Sequence, residues 1–94
     1  MHVRSLAVDL HLPDCHSLKD KRAVIKPILQ GASNRYGVAA AEVDHQDKWQ
    51  RTQLGFATVS GSWSKAGEVL DSVERFVYSF PEVDVLEVAR DELD

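Results

Sequence analysis

A single α+β domain built in the order β-α-β-β-α-β is what this 94-residue sequence predicts. Three observations lead there. Alternating apolar residues open the chain and recur near its end, and a helix-period apolar stripe runs from Ala66 to Phe80. Between two further alternating stretches stand only His45 to Arg51, a link so short that it makes them an antiparallel hairpin.

The elements follow in order. From Val3 to Leu12, Leu6, Val8, Leu10 and Leu12 fall on one side and Ser5, Ala7, Asp9 and His11 on the other, which makes a strand with one apolar face. Pro13 and Asp14 end it. Ser17, with Asp20 three residues on, resembles a capping box, so a helix should start near Leu18. Its core stripe is Leu18, Ile25, Ile28, Leu29 and Ala32. Pro27 removes a backbone hydrogen bond and crowds the preceding turn, so a kink, or fraying over Ala23 to Lys26, is expected. Gly31 weakens the helix, and Asn34 to Gly37 carry its stop signal.

Val38 to Asp44 and Thr52 to Ser60 are the hairpin strands. Ser62 or Ser64 caps the second helix, with Trp63 expected as a core or staple residue. That helix is the clearest in the chain: Ala66, Val69, Leu70, Val73, Phe76, Val77 and Phe80 share a stripe, with Glu68, Asp71, Glu74 and Arg75 between them. Pro81 stops it. Val83 to Ala89 alternates as a fourth strand before an acidic tail, Asp91 to Asp94. Right-handed crossovers then place both helices on one face of a four-stranded antiparallel sheet of order 4-1-3-2. This is a ferredoxin-like βαββαβ sandwich, one domain over residues 1–94, without repeat or linker.

Composition narrows the function. With 44% hydrophobic and 28% charged residues the chain has the apolar content of a packed domain, which disordered chains lack. No apolar run approaches the roughly 18 residues of a membrane span, and MHVRSLAVDL lacks the layout of a cleavable signal, so a cytoplasmic location is expected. The lone Cys15 agrees with a reducing compartment. A net charge of −4 argues against a nonspecific nucleic-acid binder, yet the charge is uneven. Residues 1–51 carry eight Lys/Arg against six Asp/Glu, and residues 52–94 three against nine, which leaves room for one basic surface.

Catalytic chemistry finds little support. Asp9 with His11, and Glu42 with Asp44, share strand faces, but strand 3 lies between strands 1 and 2 and sets the pairs about 10 Å apart, too far for one ion. A loop site using His16 and His45 has no supporting Cys/His spacing, which leaves a metal-assisted hydrolase built on Asp44, His45 and Asp47 as the weakest reading. Cys15 and His16 are adjacent, a poor arrangement for nucleophile and base, and no nucleophile elbow, phosphate loop or dinucleotide glycine pattern occurs. No catalytic residue, cofactor or metal is expected.

The basic run Lys19, Lys21, Arg22 and Lys26 is more informative. Lys19, Arg22 and Lys26 share one flank of the first helix, in the N-terminal half where positive charge opposes the helix dipole. Stability does not explain them. A backbone phosphate, received by the helix N-terminus and these side chains, would; the alternative is a solvated face paired with the acidic second half. Trp49, flanked by Lys48 and Arg51 at the hairpin tip, could stack on a base of single-stranded RNA, or pack on the sheet or a second subunit. The sheet also has an uncovered face. With Gly55, Ala57 and Val59 toward the helices, Leu54 and Phe56 lie on that face and form the interface of a homodimer; the reverse assignment leaves Ala57 and Val59 there.

Three segments resemble the YlxP-like family of small uncharacterised bacterial proteins: VDLHLPDCHSLKDKR, with its S-L-K-[ED]-K-R run at Ser17 to Arg22; the hairpin AEVDHQDKWQRTQLG; and EVLDSVERFV followed by PEVDVLEV. Together they span nearly the whole chain. The resemblance implies a ferredoxin-like fold and, since such proteins are commonly encoded among translation-initiation and ribosome-maturation genes, a part in ribosome assembly or RNA metabolism. It implies no catalytic residues. Pro27 departs from the family's uninterrupted first helix.

The leading expectation is therefore an accessory protein for RNA or a ribosomal subunit, with Lys19, Lys21, Arg22 and Lys26 on phosphate and Trp49 and Arg51 positioning it. The alternative is a dimeric protein-interaction or small-ligand-binding module without catalytic activity.

Overall fold

The structure, a computed structural model, describes residues 1–93. Its elements are β1 (His2–His11), α1 (Leu18–Tyr36), β2 (Ala39–Asp44), β3 (Arg51–Ser60), α2 (Trp63–Tyr78) and β4 (Asp84–Leu93). The sheet order is β2-β3-β1-β4, with each pairing antiparallel, which is the expected 4-1-3-2 arrangement read from the other edge. Both helices pack on the face to which Leu6, Val8, Leu10, Leu54 and Phe56 point. Ile25, Ile28 and Ala32 of α1 and Leu70, Val73 and Val77 of α2 close the core from above. Each large side chain so buried contributes about 1.5–3 kcal/mol.

Ser17 caps α1 as its sequence suggests: its Oγ accepts from Asp20 N at 3.0 Å, and Asp20 Oδ2 accepts from His16 N at 3.0 Å, one residue earlier than in the usual reciprocal box. Gly37 ends the helix at φ 66°, donating to Ser33 O at 3.0 Å. Pro27 does not fray α1, which runs unbroken from Leu18 to Tyr36. Ala23, whose carbonyl loses its helical donor to the proline, is exposed, as is Pro27, so water can take the missing bond. Gly31 has a packing reason. A Cβ there would stand 2.5 Å from Phe76 Cζ, so glycine lets α1 and α2 approach around that ring.

Two expectations change. Trp63 is not a core residue: it is the first residue of α2, half exposed, with the Arg4 guanidinium 4.0 Å from its ring centroid and its Nε1 donating to Glu92. The fourth strand is also longer than read, because Asp91, Glu92 and Leu93 of the supposed tail pair with Ser5, Arg4 and Val3. The exposed edge of β1 would otherwise leave its backbone groups unpaired there.

Candidate functional site

One end of the fold gathers the C-terminal end of β1, the first turn of α1 and the tip of the β2–β3 hairpin. Gln50 ties the loops together, its backbone carbonyl accepting from Leu12 N at 2.9 Å and its side chain donating to Cys15 O at 3.2 Å. The central tie is Lys21. It is 1% exposed, and its ammonium donates to His45 O at 2.6 Å and Lys48 O at 2.7 Å, and pairs with Glu42 Oε2 at 2.7 Å. Glu42 also accepts from buried Thr52 at 2.6 Å. All three ammonium protons have an acceptor. Lys21 is therefore unavailable to phosphate and leaves the expected basic cluster; it staples α1 to the hairpin. The signal for this was in the sequence: Lys21 stands on the helical stripe between Leu18 and Ile25.

The remaining cations behave differently. Lys19, Arg22 and Lys26 are exposed along one flank of α1, and among the described residues none of them forms a salt bridge. The Asp20 carboxylate already sits at the positive end of the helix, so an anion on this flank meets side chains rather than the helix terminus. Arg22 and Lys26 border a groove of about 420 Å³ floored by Ile25 and Leu29 and open beside Glu42. Trp49, 53% exposed, stands at the hairpin tip next to Lys48, whose carbonyl Lys21 grips. The staple thus holds the tryptophan beside the N-terminal half of α1.

Arg51 is placed elsewhere. It lies on the uncovered face of the sheet, where its guanidinium is 3.6 Å from Asp9 Oδ2 and His45 Nε2 is 3.7 Å from Asp9 Oδ1. His45 adopts φ 61°, a conformation uncommon for a side chain with a Cβ, while Lys21 holds its carbonyl on the other side. Asp9 Oδ1 and Arg51 Nε are buried without a hydrogen-bond partner among the described residues. This grouping of Asp9, His45 and Arg51 was not read from the sequence, because it depends on a β-bulge between Glu42 and Asp44. The bulge also corrects the pairing of those two acids: Glu42 faces the helices and Lys21, whereas Asp44 pairs across to Gln53 on the uncovered face.

The interface residues are corrected as well. Leu54 and Phe56 are 0% and 1% exposed on the helix side, so neither can meet a second chain. The reverse assignment holds, and the uncovered face carries Ala7, Ala57 and Val59, with Val43 folded over Gly55. Among the described residues no three His, Cys, Asp or Glu side chains converge as metal ligands, and His11 pairs with Asp84 at 3.4 Å. Cys15 is buried; burial, then Asp20 and Asp14, push its thiol above the ordinary value, which disfavours the nucleophilic thiolate. No helix is long and apolar enough to cross a membrane, among the described residues.

The model of a protein family described as protein of unknown function (DUF503) matches residues 3–90. The chain belongs to that family. A YlxP protein of Bacillus subtilis (strain 168), described as uncharacterized, is 45% identical over 71 residues, covering 76% of this chain and 77% of the relative. Among solved structures, a de novo designed protein with a ferredoxin fold superposes with a TM-score of 0.54 at 10% identity, covering 98% of this chain and 85% of the design. At that identity the likeness concerns the fold alone. The ferredoxin-like topology and the YlxP-like resemblance of the three sequence segments both stand.

Proposed function

We propose that this DUF503 protein is a non-catalytic accessory factor that binds structured RNA or a ribosomal particle through the outer flank of α1. Lys19, Arg22 and Lys26 meet backbone phosphates, and Trp49 at the adjacent hairpin tip stacks on an exposed base. One observation carries the reading: three cations on a single flank, exposed and without a salt-bridge partner among the described residues, with Lys19 in the first turn of α1, where the helix dipole disfavours it. Among the described residues no salt bridge joins them to the acidic second half. Asp71 and Glu74 of that half instead hold Arg90 at 2.8 and 3.1 Å.

The test is titration of a structured RNA with the parent and with Lys19→Ala/Arg22→Ala/Lys26→Ala across salt. Each lost phosphate contact should flatten the slope of log K against log salt by about 0.7–0.9. Equal affinity and equal slope for both proteins would remove the α1 flank from the function.

A further inference from the structure

Among the described residues nothing covers the sheet face opposite the helices. Its central surface is small and apolar: Ala7, Ala41, Gly55 and Ala57 line a shallow depression of about 430 Å³. Beside the hollow stand two projecting side chains, Val43 at 49% and Val59 at 63% exposure. We propose that two copies of this chain pack open face to open face, with the helices outside.

Size and shape select a second copy. Three strands of ten residues and the six-residue β2, at about 3.4 Å per residue and about 4.8 Å per strand, give a face of roughly 590 Å². Two such faces withdraw about 1,200 Å², at the lower end of the roughly 1,200–2,000 Å² of stable interfaces. A two-fold interface must be complementary to itself. This face supplies both halves of that requirement, since valines rise from it next to a hollow that alanines and a glycine leave open. A groove binder would need deeper walls than alanines provide. At the polar end of the face Asp9 and Arg51 stand side by side and offset each other's charge.

The acidic margin along β4, Glu87 and Asp91, opposes association at low ionic strength, so the experiment runs near 0.15 M salt, where the screening length is about 8 Å. Sedimentation equilibrium of the untagged parent should give twice the chain mass. Val59→Asp, at an exposed position that the core does not use, should weaken association roughly 100-fold or more, because the new carboxylate is buried unpaired. Ala57→Asp should act alike, with unchanged far-UV circular dichroism establishing that the fold survives. Lys19→Ala/Arg22→Ala/Lys26→Ala should remain dimeric, which keeps this test separate from the RNA reading. A monomeric parent, or folded Val59→Asp and Ala57→Asp proteins that stay dimeric, would overturn the proposal.

Discussion

Replacing Lys21 with methionine tests the architecture of the candidate site. Methionine keeps the length of the side chain and removes the ammonium. Three acceptors then lose their donor: Glu42 Oε2 at 2.7 Å, His45 O at 2.6 Å and Lys48 O at 2.7 Å. Breaking a buried ion pair from one side costs about 3–5 kcal/mol, and each carbonyl left dry adds roughly 1–3. The hairpin tip is exposed, so both carbonyls can move into water, and Glu42 keeps its hydrogen bond from Thr52. A net loss of about 3 kcal/mol is the expected result. That is a large share of the roughly 5–14 kcal/mol total for a chain of this length. With a urea m-value of about 1.5 kcal/mol/M, the midpoint should fall by about 2 M. Adding Glu42→Leu to Lys21→Met should recover part of the loss, because the unpaired acid is then gone. A midpoint shift of under about 0.3 M, with lost RNA binding, would contradict this account and return Lys21 to the phosphate-contacting set.

Other expectations are checked independently. Gly31→Ala should lower stability by about 1–3 kcal/mol in urea melts, since its methyl group meets the Phe76 ring 2.5 Å away. Trp49→Ala should leave the unfolding free energy within about 0.5 kcal/mol of the parent, as an exposed position does, while weakening RNA binding in the same titration; unchanged binding removes the stacking role. Cys15 should react with an aromatic disulfide reagent far more slowly in native protein than in urea. Because folding raises its pKa, the native state keeps the thiol proton after the unfolded chain has begun to lose it near 9.0. Its contribution to stability is complete below that pH and declines as pH rises through the folded value, so Cys15→Ala should lessen the alkaline fall in urea midpoint.

Much of the fold was legible because period and punctuation agreed. Ser17, Gly37 and Ser62 mark helix ends where the structure has them, and the α2 stripe names Ala66, Leu70, Val73 and Val77, all buried. Local signals could not supply the pairing partner that draws Asp91 to Leu93 into β4, since that partner lies at the other end of the chain. The site was harder to read. Lys21, Arg22 and Lys26 look alike in sequence, and helical phase alone separates the buried one from the exposed two. The orientation of β3 rests on one register choice that reverses every side chain along it, so Leu54 and Phe56 exchanged faces with Ala57 and Val59. The Val43 bulge, which brings His45 toward Asp9, has no reliable local signature.

Co-sedimentation with separated ribosomal subunits, at low and high salt, tests the proposed role of the α1 flank most directly. Saturable binding to one subunit, weakened by salt and by Lys19→Ala/Arg22→Ala/Lys26→Ala, is the expected result. Binding to neither subunit, or binding indifferent to both salt and those substitutions, would contradict it.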